Sequence, residues 1–195
     1  MKTQERDFAG TVSKMKFKNI QAIVIIAVLL AVVGSMAISA QDTAQDKYTV
    51  QAPNGLAFSD FRGYEDWTVV AVSQPKDLLV VILANPVMID AYRAGVPGNG
   101  KPFPDGSKLA KIHWKVKKSA EAPAPTMVPD TLHDVNFMER DSKRFADSRG
   151  WGYAKFDYDP ASDRFTPHGT GTNCGFACHM IVKAKDYVCT AYGKR

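Results

Sequence analysis

Along the chain beyond residue 60, apolar residues recur with two different periods. Residues 66–73 (DWTVVAVS) and 78–85 (LLVVILAN) are β-branched and apolar, and the turn-forming QPKD between them predicts a pair of buried strands. The period then changes. Asn85 stands as an N-cap with Pro86 at the first helical position, so PVMIDAYRA reads as a short helix ending at Gly95. After the loop GVPGNGKPFPDGS, residues 108–118 (KLAKIHWKVKK) alternate strictly. Ala110, Ile112, Trp114 and Val116 fall on one side, and Leu109, Lys111, His113, Lys115 and Lys117 on the other, which predicts a strand with one apolar face. A Pro-rich loop, SAEAPAPTMVPD, precedes a further strand, DVNFMER. Asp141 then caps a predicted short helix, SKRFADSR, and WGYAKFDYD is a strand closing at DPASD. The predicted fold is mainly β, bordering on α+β: an antiparallel sheet of about five strands with short helices, and a cysteine-bearing helix at the C-terminus.

The first forty residues follow another rule. Lys14, Lys16 and Lys18 precede an apolar run from Ala22 to Val33, and small residues continue to Ala40. A positive head, a short apolar middle and small residues for cleavage predict a secretory signal peptide over 1–40, leaving 41–195 as one exported, periplasmic domain. A retained anchor is the rival reading. Counting Gly34 and Ser35, the apolar stretch approaches the roughly 20 residues that span a bilayer. The mixed-charge lead before Met15 makes that methionine an alternative start.

The chain has 195 residues, 45% of them hydrophobic, enough for one real core. Its net charge of +5 is partly an export feature, because residues 1–40 carry five basic side chains against two acidic ones. The small excess that remains, without a basic stripe interleaved with aromatics, excludes a nucleic-acid partner. Cys174, Cys178 and Cys189 all lie near the C-terminus. In an exported protein such clustering calls for a covalent or metal explanation.

Residues 172–180 (TNCGFACHM) carry that chemistry. A c-type haem is attached through two cysteine sulfurs at the usual spacing C-x-x-C-H, with the histidine as proximal iron ligand. Here three residues, Gly175, Phe176 and Ala177, separate the cysteines. On a helix, offsets of three and four both return to the same face, since 3.6 residues make one turn. The wider spacing displaces the first sulfur by about 100° without taking it off that face, and Gly175 leaves the backbone room to absorb the insertion. Two plainer readings stay open. One is a disulfide of Cys174 or Cys178 with Cys189; the other is zinc held by the two cysteines, His179 and either Cys189 or His168.

Four blocks in order, FRGYEDWTVVAVS, FPDGSKLAKIHWK, RDSKRFADSRGWGYAKFDYD and CGFACHMIVKAKDYVCTAYG, resemble the cytochrome P-460 family over nearly all of residues 54–192. The resemblance implies an exported mono-haem c-type cytochrome of mostly antiparallel β structure, commonly a homodimer. It implies haem c bound through Cys174 and Cys178, His179 as axial ligand of the iron, and an open distal position. It further implies that Lys111, on the strand after the Gly-rich loop, is bonded to the macrocycle; from the residues alone Lys111 reads as a solvated strand lysine. Two departures are visible: the three-residue spacer, and Cys189 where the family has an aromatic side chain. The distal arginine and carboxylate of the hydroxylamine-oxidising members have no clear counterparts, and Asp134, His113, His133 and Glu139 are the available proton acceptors.

Two functions follow from the resemblance. One is an oxidoreductase acting on hydroxylamine or a related small nitrogen species, passing electrons to a soluble electron-accepting cytochrome. The other is a nitric oxide-binding protein similar to the β-type cytochromes c′, with an apolar distal wall from phenylalanines such as Phe103 or Phe137. A chain with a disulfide and no haem is the structural alternative.

Overall fold

A computed structural model of the protein describes residues 44–169 and 171–194, and the side chains of all of these except 171–174. The predicted signal peptide lies outside the described residues. No described helix is long and apolar enough to cross a membrane.

Six strands form one sheet in which each strand pairs antiparallel with its neighbour in sequence: β1 (Thr68–Ser73), β2 (Leu78–Ala84), β3 (Lys108–Lys118), β4 (Met127–Arg140), β5 (Trp151–Asp159) and β6 (Arg164–Pro167). Helix α1 (Pro86–Arg93) interrupts the meander between β2 and β3, and α2 (Gly171–His179) follows the last strand. The mainly β, antiparallel expectation holds, and β3 has the bounds that its alternation predicts. The sixth strand is additional. Only four residues long, it follows the turn at Asp159–Asp163 and stops at Pro167, too short a run to announce itself by alternation.

Two local expectations are corrected. β4 begins at Met127, inside the segment read as a Pro-rich loop, and Pro129 sits opposite Val116 next to a break in register. A bulge is where a strand tolerates a residue that has no N–H to donate. SKRFADSR is not a helix beyond the single 3-10 turn Ala146–Ser148. Asp141 accepts from the amides of Lys143 and Arg144 at 3.0 and 2.9 Å and so closes the turn before it, while the 3-10 turn starts from Phe145 with no side-chain cap. Arg149 and Gly150 then take φ of 58° and 86°, and Gly150 donates back to the Phe145 carbonyl, which turns the chain into β5 before a second helical turn can form.

Asn85 acts as predicted. Its Oδ1 accepts from the Met88 amide, while the same side chain bonds Lys108 N and the Gly106 carbonyl, tying the start of α1 to the start of β3.

The sheet separates two apolar layers. On one face Leu83, Ala110, Ile112, Val135, Phe137 and Phe156 meet Phe58, Phe61 and Tyr64 from the N-terminal 3-10 turns. Phe58 lies at the centre, with its ring 4.9–5.1 Å from those of Phe137, Phe156 and Phe165, and Phe61 stacks on Phe137 at 4.1 Å. On the other face Leu109, Met138, Trp151 and Tyr153 pack with Met88, Ile89 and Phe103. Strand β3 is therefore apolar on both sides at its start, contrary to the one-sided expectation, with Leu109 and Ala110 both buried.

Candidate haem site

Register assembles the site. Three cross-strand rows lie side by side on the second face: Ala84, Leu109, Met138 and Tyr153; then Ile82, Lys111, Asn136 and Lys155; then Val80, His113, Asp134 and Asp157. Side chains two apart on a strand share a face, so the surface grades from apolar through amine and amide to imidazole and carboxylate. Helix α2 closes on the apolar end. It can approach because Gly175 lacks a side chain: a Cβ there would stand 2.5 Å from the Tyr153 Cβ. Gly175 thus has an observed role in the close seating of the helix on β5.

Between α2 and the sheet lies a cavity of 390 Å³. Ile82, Leu109, Met138 and Val188 line it together with Lys111, Cys178 and His179. A second cavity of 380 Å³ continues along the sheet, lined by Lys111, Asn136, His113, Asp134, Lys155 and His179 among others. Lys111 and His179 border both. Cys174 and Cys178 fall in one helix, α2, though the side chain of Cys174 is outside the described residues.

His179 closes α2, and its Nδ1 donates to the Tyr187 carbonyl at 2.6 Å. This bond fixes the ring and leaves Nε2 free, the arrangement that orients metal-ligating histidines. Tyr153 packs on the ring at 5.0 Å between centroids. Burial lowers the pKa of His179; the Tyr187 bond opposes that shift and the charge of Lys111 adds to it, so neutral imidazole, the ligating form, is favoured. Asp186 helps to shape this turn, taking φ of 49° and accepting from the Phe103 amide at 2.7 Å.

The polar end of the groove is a network. Asp134 accepts on Oδ1 from His113 at 2.7 Å and from Asn136 at 2.5 Å, and on Oδ2 from His133 at 2.6 Å. Lys155 stands 3.6 Å from Asp134 and 2.9 Å from Asp157, which in turn bonds His168. Burial alone would raise the pKa of Asp134, but the donors from His113 and His133 and the charge of Lys155 outweigh it and bring it to about 2.

Other expected residues are engaged elsewhere. Glu139 lies in register with Lys108 and pairs with Lys108 and Arg144, away from the Lys111 row. The rings of Phe103 and Phe137 are core: Phe103 against Tyr92 and Trp151, Phe137 against Phe61 on the opposite side of the sheet. Cys178 and Cys189 are free thiols, and the Cys189 Sγ is 3.8 Å from His179 Nδ1. Among the described residues no three of His, Cys, Asp and Glu are grouped to hold a metal ion. Sequence reading passed over Tyr187, Tyr153, Asn136 and Lys155. The last three were readable in principle, since Asn136 and Lys155 share the two-residue period of Asp134 and Tyr153; Tyr187 acts through its carbonyl, which no side-chain pattern reveals.

A ring-fixed imidazole following a cysteine beside an apolar cleft is the arrangement that a haem-binding protein requires. The chain belongs to the cytochrome P460 family, whose family model matches residues 61–190. No curated protein matches it. The family implies a haem cofactor, and the residues present fit one: among the described residues His179 Nε2 has no hydrogen-bond partner, the cleft wall is largely apolar, and the buried hydroxyl of Tyr153, which lines the cleft, has no partner. A haem would be held by His179 and the cysteines of α2, and would supply one-electron chemistry.

Proposed function

We propose that this chain is an exported mono-haem c-type protein that oxidises hydroxylamine or a related small nitrogen species. Cys174 and Cys178 hold the haem c, His179 ligates the iron, and Lys111 is bonded to the macrocycle. The observation that carries this reading is the facing of Lys111 and His179: one on β3, the other at the end of α2, they border the same two cavities. Lys111 is exposed on the groove face, and its charge acts on His179 across the cleft.

The chain's own residues do the remaining work. The Tyr187 carbonyl orients His179; Ile82, Leu109 and Met138 keep the cleft dry; Asn136 and the imidazoles beyond it offer hydrogen bonds to a polar ligand. That polar row favours turnover over capture of nitric oxide in an apolar pocket, and the phenylalanines on which the capture reading relied are committed to the cores. Electrons leave singly to a soluble cytochrome in the periplasm, and the protein works as a homodimer; the residue 1–40 pattern supports export.

The test is full-length chain produced with haem maturation, analysed by pyridine haemochrome and by acid acetone followed by proteolysis. The expected results are a c-type spectrum, haem retained on the peptide that carries Lys111, and hydroxylamine-dependent reduction of an added acceptor. His179→Ala should abolish axial ligation. Colourless wild-type protein would end the proposal.

A further inference from the structure

We infer that His113 and Asp134 form a proton-transfer pair serving a small protic ligand held in the groove, with His113 Nε2 as the acceptor. The inference deepens the proposed function and rests on it only for the presence of haem. His113 is 9% exposed and Asp134 3%, and both lie one row beyond Lys111 on the same face of the sheet. The 2.7 Å bond from Nδ1 to Asp134 Oδ1 sets the tautomer: Nδ1 carries the hydrogen, and the lone pair is on Nε2. Nε2 has no partner among the described residues, and His113 lines the cavity that His179 and Lys111 also border. Asp134 is the positioning residue.

The step balances without an oxidant. A ligand X–H gives its proton to His113 Nε2 and keeps the bonding pair as X⁻. The imidazolium that forms is held by the Asp134 carboxylate, whose other oxygen bonds His133. His133, with its side chain 41% exposed, donates to that second oxygen from the solvent side. An aspartate held ionised by several donors does not take the proton itself; it steadies the imidazolium, as in other oriented acid–base pairs. Burial of an ionised carboxylate under two histidines and an amide is costly without such a use, because each of these groups must be desolvated.

The test compares two ligands on haem-loaded, full-length protein. Hydrogen cyanide must lose a proton to bind as cyanide; nitric oxide has none to lose. His113→Gln should slow cyanide association at least about tenfold, the lower range for loss of a general base, and leave nitric oxide association within about twofold. Asp134→Asn, which keeps the shape of the side chain and removes the preference for the Nδ1–H tautomer, should reproduce the selective loss and serves if the first variant folds poorly. Equal changes for both ligands, or none for either, in the variant that folds would overturn the pair. Wild-type protein that shows the selective effect but does not oxidise hydroxylamine would sink the proposed turnover and leave the pair standing.

Discussion

At the scale of single residues, Asp134 is the side chain on which most of the polar end depends. Its pKa, near 2 in the folded protein against 3.8 for the free group, is depressed, so its ionised form stabilises the fold above pH 4. That contribution is lost as pH falls from about 4 to about 2, and a shift of this size corresponds to about 2 kcal/mol. Urea unfolding of wild type and Asp134→Asn across this range should show their stability difference shrinking by about that amount. A constant difference would mean that the carboxylate is not held ionised by its neighbours. The same residue marks a limit of sequence reading: Asp134, His113 and His133 were recognisable as titratable groups, but their convergence on one carboxylate depends on β3–β4 register, which a single strand does not encode.

At the scale of elements, legibility follows the strength of the local signal. Strand β3 and helix α1 were readable to their ends because an unbroken alternation and an Asn-Pro cap leave few alternatives. SKRFADSR misled because an N-cap starts a helix without guaranteeing that it propagates, and here Arg149 and Gly150 turn the chain after one 3-10 turn. Helix α2 was readable from the cysteine spacing, but its seating was not, since that depends on what faces Gly175. A methyl group there would stand 2.5 Å from Tyr153 Cβ and 2.6 Å from Cγ. Gly175→Ala should therefore push α2 off β5 at a cost of about 1–3 kcal/mol, as overpacking does. Because His179 terminates this helix, the same change should alter the spectrum of the loaded protein as well as its thermal midpoint. A midpoint shift with an unaltered spectrum would show that α2 and the site are uncoupled.

For the molecule as a whole, the sheet is a partition. Every strand from β2 to β5 contributes one set of side chains to the aromatic core built around Phe58 and the alternate set to the groove beneath α2. The two layers lie on opposite sides of the backbone ladder, which is stiff, so packing losses on one side should not move the groove side chains on the other. Phe58→Leu should then cost on the order of 1–2 kcal/mol by loss of ring contacts, and leave the absorption spectrum of the loaded protein unchanged. Leu109→Ala, one position from Ala110 but on the groove face, should change the spectrum, because it enlarges the cleft beside Lys111. Denaturant unfolding and absorption spectra of the two variants decide the matter together. If Phe58→Leu disturbs the spectrum as much as Leu109→Ala does, strain crosses the ladder, and the site is tuned by the far core as well as by the residues that line it.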